Sequence, residues 1–234
     1  MKAVLKTAAA GRSGPAGHDR ILRGDDPALL DRIRDPAVGL AVWHRTLPEA
    51  LGEWLDRLWP DQLPHGRVLI EPCDRERAIG AIFEESRTPK GALADLLAND
   101  IAELAAAFCR IANIGEIDLR LEAVRHNACW RFHRDLVPFR MLTTYRGPGT
   151  QMVSPAQAAQ ALEQQTSYRG PIETLPRYAV AAFKGDGAVA GGGIVHRSPP
   201  IQDTNVTRLL LCLNPASAAS PAPWAGARAA ACRG

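Results

Sequence analysis

At Asp118 the hydrophobic period of this chain changes from helical to extended, and that switch most constrains the fold. Upstream, apolar residues recur at helical spacing. Leu51, Trp54, Leu55 and Leu58 line one face of a predicted helix over 48–59 that opens on a proline. A second helix is predicted over 74–86, with Ile79, Ile82 and Phe83 on its apolar side. The longest spans 90–112, where Leu93, Leu96, Leu97, Ile101, Leu104 and Phe108 form one stripe. Downstream, Leu119, Leu121 and Ala123 alternate with Arg120 and Glu122, as in a half-buried strand.

Further strands are predicted over 129–135, 139–145, 178–184, 188–196 and 208–213, with a turn at Arg146-Gly147-Pro148-Gly149 and a short helical insertion over 154–170. Glycines 191–193 would loosen the strand that leads into His196. Helices first and strands later imply an α+β domain with helices bracing one face of a β-sandwich or barrel. Residues 1–23 and 215–234 lack pattern and are expected to be disordered tails around one domain over 24–214.

The strand half carries the chemistry. His133 and Asp135 are two apart, so on a strand both side chains share a face. His196 and Arg208 follow, twelve residues apart. Two imidazoles and one carboxylate are the set that holds non-haem Fe(II) and leaves positions open. A guanidinium on the last strand suits a carboxylate ligand. Arg140 competes with Arg208 for that anion, and Tyr145, with Thr144, is a candidate hydrogen-bond donor to it. Cys129 has the parity of a fourth, soft ligand, which would suit zinc better than iron. His126 is a further candidate ligand or base. The bland alternative is a hydrogen-bonded His–Asp pair in a strand and a core histidine.

The order His-x-Asp, distal His, then Arg resembles the Fe(II)/2-oxoglutarate-dependent oxygenases. The stretches Cys129–Asp135, Thr144–Thr150 and His196-Arg197-Ser198-Pro199-Pro200 resemble the uncharacterised bacterial domain-of-unknown-function family 1826, over about Val42 to Asn214. The first resemblance implies a cupin-like jelly roll, a double-stranded β-helix, against which the N-terminal helices pack. It also implies Fe(II) on His133, Asp135 and His196, 2-oxoglutarate on Arg208, and hydroxylation of a substrate C–H bond. The second implies a link to zinc homeostasis, so the alternative expectation is a non-enzymatic zinc-binding protein.

Composition narrows the partners. A formal charge of +3 over 234 residues gives no basis for nucleic-acid or anionic-membrane binding, and the substrate, a small molecule or another class, is not named by the sequence. No run approaches the roughly 20 apolar residues of a membrane span. Five scattered cysteines, never spaced Cys-x-x-Cys, argue against a disulfide framework and for reduced thiols in a cytoplasm.

Overall fold

The computed structural model describes residues 20–188 and 193–226. The predicted period switch is real. Helices α1 (Glu49–Arg57), α2 (Arg75–Glu85) and α3 (Ala92–Ala112) precede the long strands β4 (Ile117–Val124), β5 (Phe139–Arg146), β8 (Val180–Lys184) and β10 (Arg208–Pro215). The insertion after β5 holds a short helix α4 (Ala158–Gln164) between two 3-10 turns.

Three strands lie in the half expected to be helical: β1 (Ile21–Gly24), β2 (Leu40–Trp43) and β3 (Gly66–Ile70). They are four or five residues long, at the lower limit at which alternation can declare a strand. Leu40-Ala41-Val42 is also fully buried, so it reads as an apolar run without alternation. With them the main sheet has seven strands in the order β1-β2-β8-β5-β10-β4-β3, antiparallel except for β1 beside β2. A small sheet of β6 (Gln151–Met152), β7 (Glu173–Thr174) and β9 (His196–Arg197) has the order β7-β6-β9.

Strand parity assigns the two faces of the main sheet. Met141 and Tyr145 of β5, Leu209, Leu211 and Leu213 of β10, and Leu119 and Leu121 of β4 pack with Leu51 and Leu55 of α1 and Leu97, Ile101 and Phe108 of α3. The opposite face presents Leu40, Val42, Leu142, Ala181, Phe183 and Leu210, which pack with Met152, Leu175 and Ile194 from the small-sheet side. The protein is thus an α+β fold in which one sheet face is covered by helices and the other looks toward a second, smaller sheet.

Regular structure extends past the expected domain bounds of 24 and 214, for Ile21–Gly24 is a strand. The C-terminal segment packs as far as Trp224, whose backbone N–H donates to Leu69 O at 2.8 Å while Arg77 lies 5.2 Å above its ring. Its proline- and alanine-rich composition reads as disorder, but a bridge between Pro223 and Leu69 extends the free edge of β3.

Two other expectations change. Residues 129–135 form no regular strand: Cys129 adopts φ 51°, and only His133 makes a β-bridge. Of the predicted strand over 188–196, residues 189–192 lie outside the described residues, and among the rest only His196 is in a strand. Cys109, Cys129 and Cys212 are free thiols, but Cys73 is disulfide-bonded, a link that spacing rules for neighbouring cysteines do not reveal. Among the described residues no helix is long and apolar enough to cross a membrane.

Candidate metal centre

His133 and His196 face each other across a two-residue antiparallel bridge. Each backbone N–H donates to the other's carbonyl at 3.0 Å, and the rings stand 4.6 Å apart. The bridge is anchored on both sides. His196 pairs with Met152 of β6, and the Gln165 side chain accepts from the Phe132 N–H at 2.9 Å while its amide donates to the Phe132 carbonyl at 3.0 Å. Phe132 itself is buried against Tyr168, edge to face at 5.5 Å.

The ring orientations are set by backbone. His133 Nδ1 lies 2.8 Å from Arg131 O, and His196 Nδ1 lies 3.0 Å from Ile194 O. A carbonyl can only accept, so each Nδ1 carries the proton and each Nε2 keeps a free lone pair. This is the arrangement by which an outer partner fixes a ligating imidazole. Burial under Phe183, whose ring is 4.8 Å away, pushes the His196 pKa down to about 4, although Asp135 pulls the other way. His196 is therefore neutral and available as a ligand at neutral pH.

Asp135 supplies the third donor. Its Oδ2 is 3.5 Å from His196 Nε2 and its Oδ1 is 3.9 Å from His133 Nε2. One ligand atom from each of the three residues falls within 4.8 Å of the others. Oδ1 accepts from Arg140 Nη1, whereas Oδ2 is buried and has no hydrogen-bond partner among the described residues. A buried carboxylate oxygen without a donor is costly to maintain, and a cation at that point would satisfy it. Asp135 and His196 are buried and the His133 side chain is 33% exposed, so the cluster opens to solvent on the His133 side. Cys129 is exposed and does not join the group, so the expected fourth soft ligand is absent from it.

The turn that carries Asp135 is pressed against the end of β8. Gly185 N–H donates to Pro138 O at 3.0 Å and Asp186 N–H to Asp135 O at 2.8 Å. A Cβ on Gly185 would sit 2.0 Å from Val137 O and 2.6 Å from Asp135 O, so only glycine fits there.

Arg208 lies on the same sheet face and is 1% exposed. Its Nη1 donates to Ser198 Oγ at 3.0 Å, and its Nη2 to Thr144 Oγ1 at 3.1 Å and Thr150 Oγ1 at 2.7 Å. Among the described residues its Nε has no hydrogen-bond partner and no carboxylate forms an ion pair with it. Burial drags its pKa down to about 10, so it stays charged at neutral pH. A buried cation held only by hydroxyls is an uncompensated charge, the usual mark of an anion site.

The predicted site residues sort cleanly. His133, Asp135 and His196 come together, and Arg208 stands on the same side of the sheet. Arg140 reaches the site but pairs with Asp135 and, through Nε, with Asn214 Oδ1 at 2.8 Å, so it does not offer the competing anion site expected of it. Tyr145 points into the opposite face, fully buried, where its hydroxyl donates to Asp100 beside Arg45. It cannot bind a co-substrate, because strand parity turns it away from Arg140 and Thr144. Ser198, Thr150 and Gln165 were not marked as site residues; Ser198 lies two residues from His196, but small hydroxyl and amide residues carry no spacing signal.

No curated protein matches the chain. Among solved structures, the full-length T7H of Neurospora crassa in complex with alpha-KG aligns over 83% of this chain and 82% of its own, with 14% identity and a TM-score of 0.42. AviO1 from Streptomyces viridochromogenes aligns over 89% of this chain and 100% of its own, with 16% identity and a TM-score of 0.37. A bsmA homologue from Methylobium petroleophilum aligns over 84% and 95%, with 15% identity and a TM-score of 0.40. The family model described as "Protein of unknown function (DUF1826)" matches residues 24–214, and the chain belongs to that family.

Proposed function

We propose that this protein is a mononuclear non-haem Fe(II)- and 2-oxoglutarate-dependent oxygenase, its two facing sheets the walls of a jelly roll. His133, Asp135 and His196 hold the iron, and Arg208 binds the distal carboxylate of 2-oxoglutarate. The reading is carried by one observation: a buried cation without an acid stands on the sheet face from which Arg140 reaches Asp135, a buried carboxylate with one oxygen lacking a donor. The cation lacks an anion and the carboxylate oxygen lacks a cation, and a metal ion with a dicarboxylate co-substrate would supply both. The strand β5 connects them, since Thr144 touches Arg208 and Arg140 touches Asp135. Four residues of strand span about 13 Å.

Bound iron supplies the one-electron and dioxygen chemistry that couples decarboxylation of a keto acid to oxidation of a C–H bond. The chain's own part is to bind and orient. The two carbonyls at Arg131 and Ile194 hold the Nδ1–H tautomer of each neutral ring, which leaves Nε2 as its donor atom. Ser198, Thr144 and Thr150 fix the guanidinium so that little ordering remains to be done when the anion arrives. Leu142, Leu210 and Phe183 make the sheet face apolar and exclude water from it.

The test is succinate formation from 2-oxoglutarate by protein purified without oxygen and reconstituted with Fe(II). Turnover that is lost in His133→Ala and in Arg208→Met supports the reading. No succinate above the His133→Ala background contradicts it.

A further inference from the structure

Arg140 and Asn214 form a clamp on one side of Asp135 that the proposed chemistry has not used. Arg140 stands on β5 and Asn214 on the neighbouring β10, both on the face that carries Arg208. The guanidinium gives Nη1 to Asp135 Oδ1 and Nε to Asn214 Oδ1 at 2.8 Å. The Asn214 amide nitrogen lies 3.6 Å from Cys212 Sγ, so the asparagine is itself held on the strand. The two oxygens of Asp135 are therefore inequivalent. One is engaged by a fixed cation; the other is buried, bare, and 3.5 Å from His196 Nε2.

We infer that Arg140, fixed by Asn214, is a positioning residue that reserves Oδ1 of Asp135 and leaves Oδ2 as its only metal-ligating oxygen. The inference rests on the metal reading above. A carboxylate with both oxygens free can take two positions around one ion; a carboxylate with one oxygen committed to a guanidinium takes one. The position saved is one that a bidentate keto acid and dioxygen would otherwise have to do without. Outer partners of this kind govern ligand orientation in metal sites.

The experiment counts exchangeable water on bound Mn(II) by water-proton relaxation, with no co-substrate and no turnover. Three single-atom ligands leave about three of six octahedral positions to water. Arg140→Met frees Oδ1, and the relaxivity of its Mn(II) complex is expected to fall by about one-third, from about three waters to two. Arg140→Lys, which keeps a donor for Oδ1, is expected to stay near the wild-type value. Equal relaxivity in wild type and Arg140→Met overturns the inference, because a merely structural ion pair would alter melting and not the water count. If Arg140→Met does not fold, Asn214→Ala takes its place: it removes the anchor of the guanidinium and is expected to lower the relaxivity in the same direction, and an unchanged value overturns the inference. A wild-type protein without a Mn(II) site would overturn this inference and the iron reading together, whereas a bound ion with identical counts in all variants would overturn this one alone.

Discussion

Arg140 and Thr144 stand four residues apart on one face of β5, and each holds a different half of the candidate site: Arg140 the carboxylate of Asp135, Thr144 the guanidinium of Arg208. The strand sets the spacing between an apparent metal cluster and an apparent anion site. A shift of register by one residue would turn both away together.

The uncompensated charge of Arg208 makes its ligand a stabiliser. Saturating 2-oxoglutarate with Mn(II), at about one hundred times its Kd, should add about 2.7 kcal/mol to stability and raise Tm accordingly. Arg208→Met should show no such rise. Thermal melts of both proteins with and without 2-oxoglutarate check this, and an equal shift in the two would remove Arg208 from the site.

Gly185 is expected to be intolerant of any side chain. The Cβ of Gly185→Ala would meet backbone oxygen of Val137 and Asp135 at 2.0 and 2.6 Å, and backbone cannot rotate away. The variant should lose on the order of 2–4 kcal/mol of stability, as steric insertion in a packed place does, and bind metal more weakly because Asp135 moves. Denaturant melts and a Mn(II) titration read the two effects separately.

Tyr145→Phe tests the assignment of that residue to the helix-side core. Its hydroxyl donates to Asp100, so removal should cost about 1–3 kcal/mol. Affinity for 2-oxoglutarate should not change. A large loss of affinity with normal stability would return Tyr145 to the site.

The metal-free protein should lose stability in mild acid. His196 has a folded pKa of about 4 against an ordinary value of 6.5, so between these values the unfolded chain binds the extra proton. Its contribution is complete above about pH 6.5 and is lost as the pH falls toward 4, with a slope approaching 1.4 kcal/mol per pH unit. His196→Gln should flatten that slope in denaturant melts taken across the window.

Much of this was legible in the sequence for identifiable reasons. The switch of period at Asp118 separated helices from the eight-residue strands, and the residue types and order of His133, Asp135, His196 and Arg208 pointed to the cluster and the buried cation, although 129–135 is not the strand on which their parity was argued. Tyr145 was misplaced in the site although strand parity speaks against it, since Arg140 and Thr144 have even numbers on β5 and Tyr145 does not. β1, β2 and β3 were not legible, because four or five residues are at the lower limit at which alternation can declare a strand. Nor were the hydroxyls around Arg208 or the Gln165 brace on Phe132: these contacts span long sequence separations and use residue types found throughout any surface. The docking of Trp224 on β3 depended on a free sheet edge that the sequence did not declare.

The central claim is that one site joins the metal cluster to Arg208 through 2-oxoglutarate, and anaerobic calorimetric titration of 2-oxoglutarate into the protein tests it most directly. Binding that requires Fe(II) or Mn(II), and that disappears both in His133→Ala and in Arg208→Met, is the predicted result. Binding that ignores the metal, or survives loss of Arg208, would mean that the two features serve different ligands and would contradict the account.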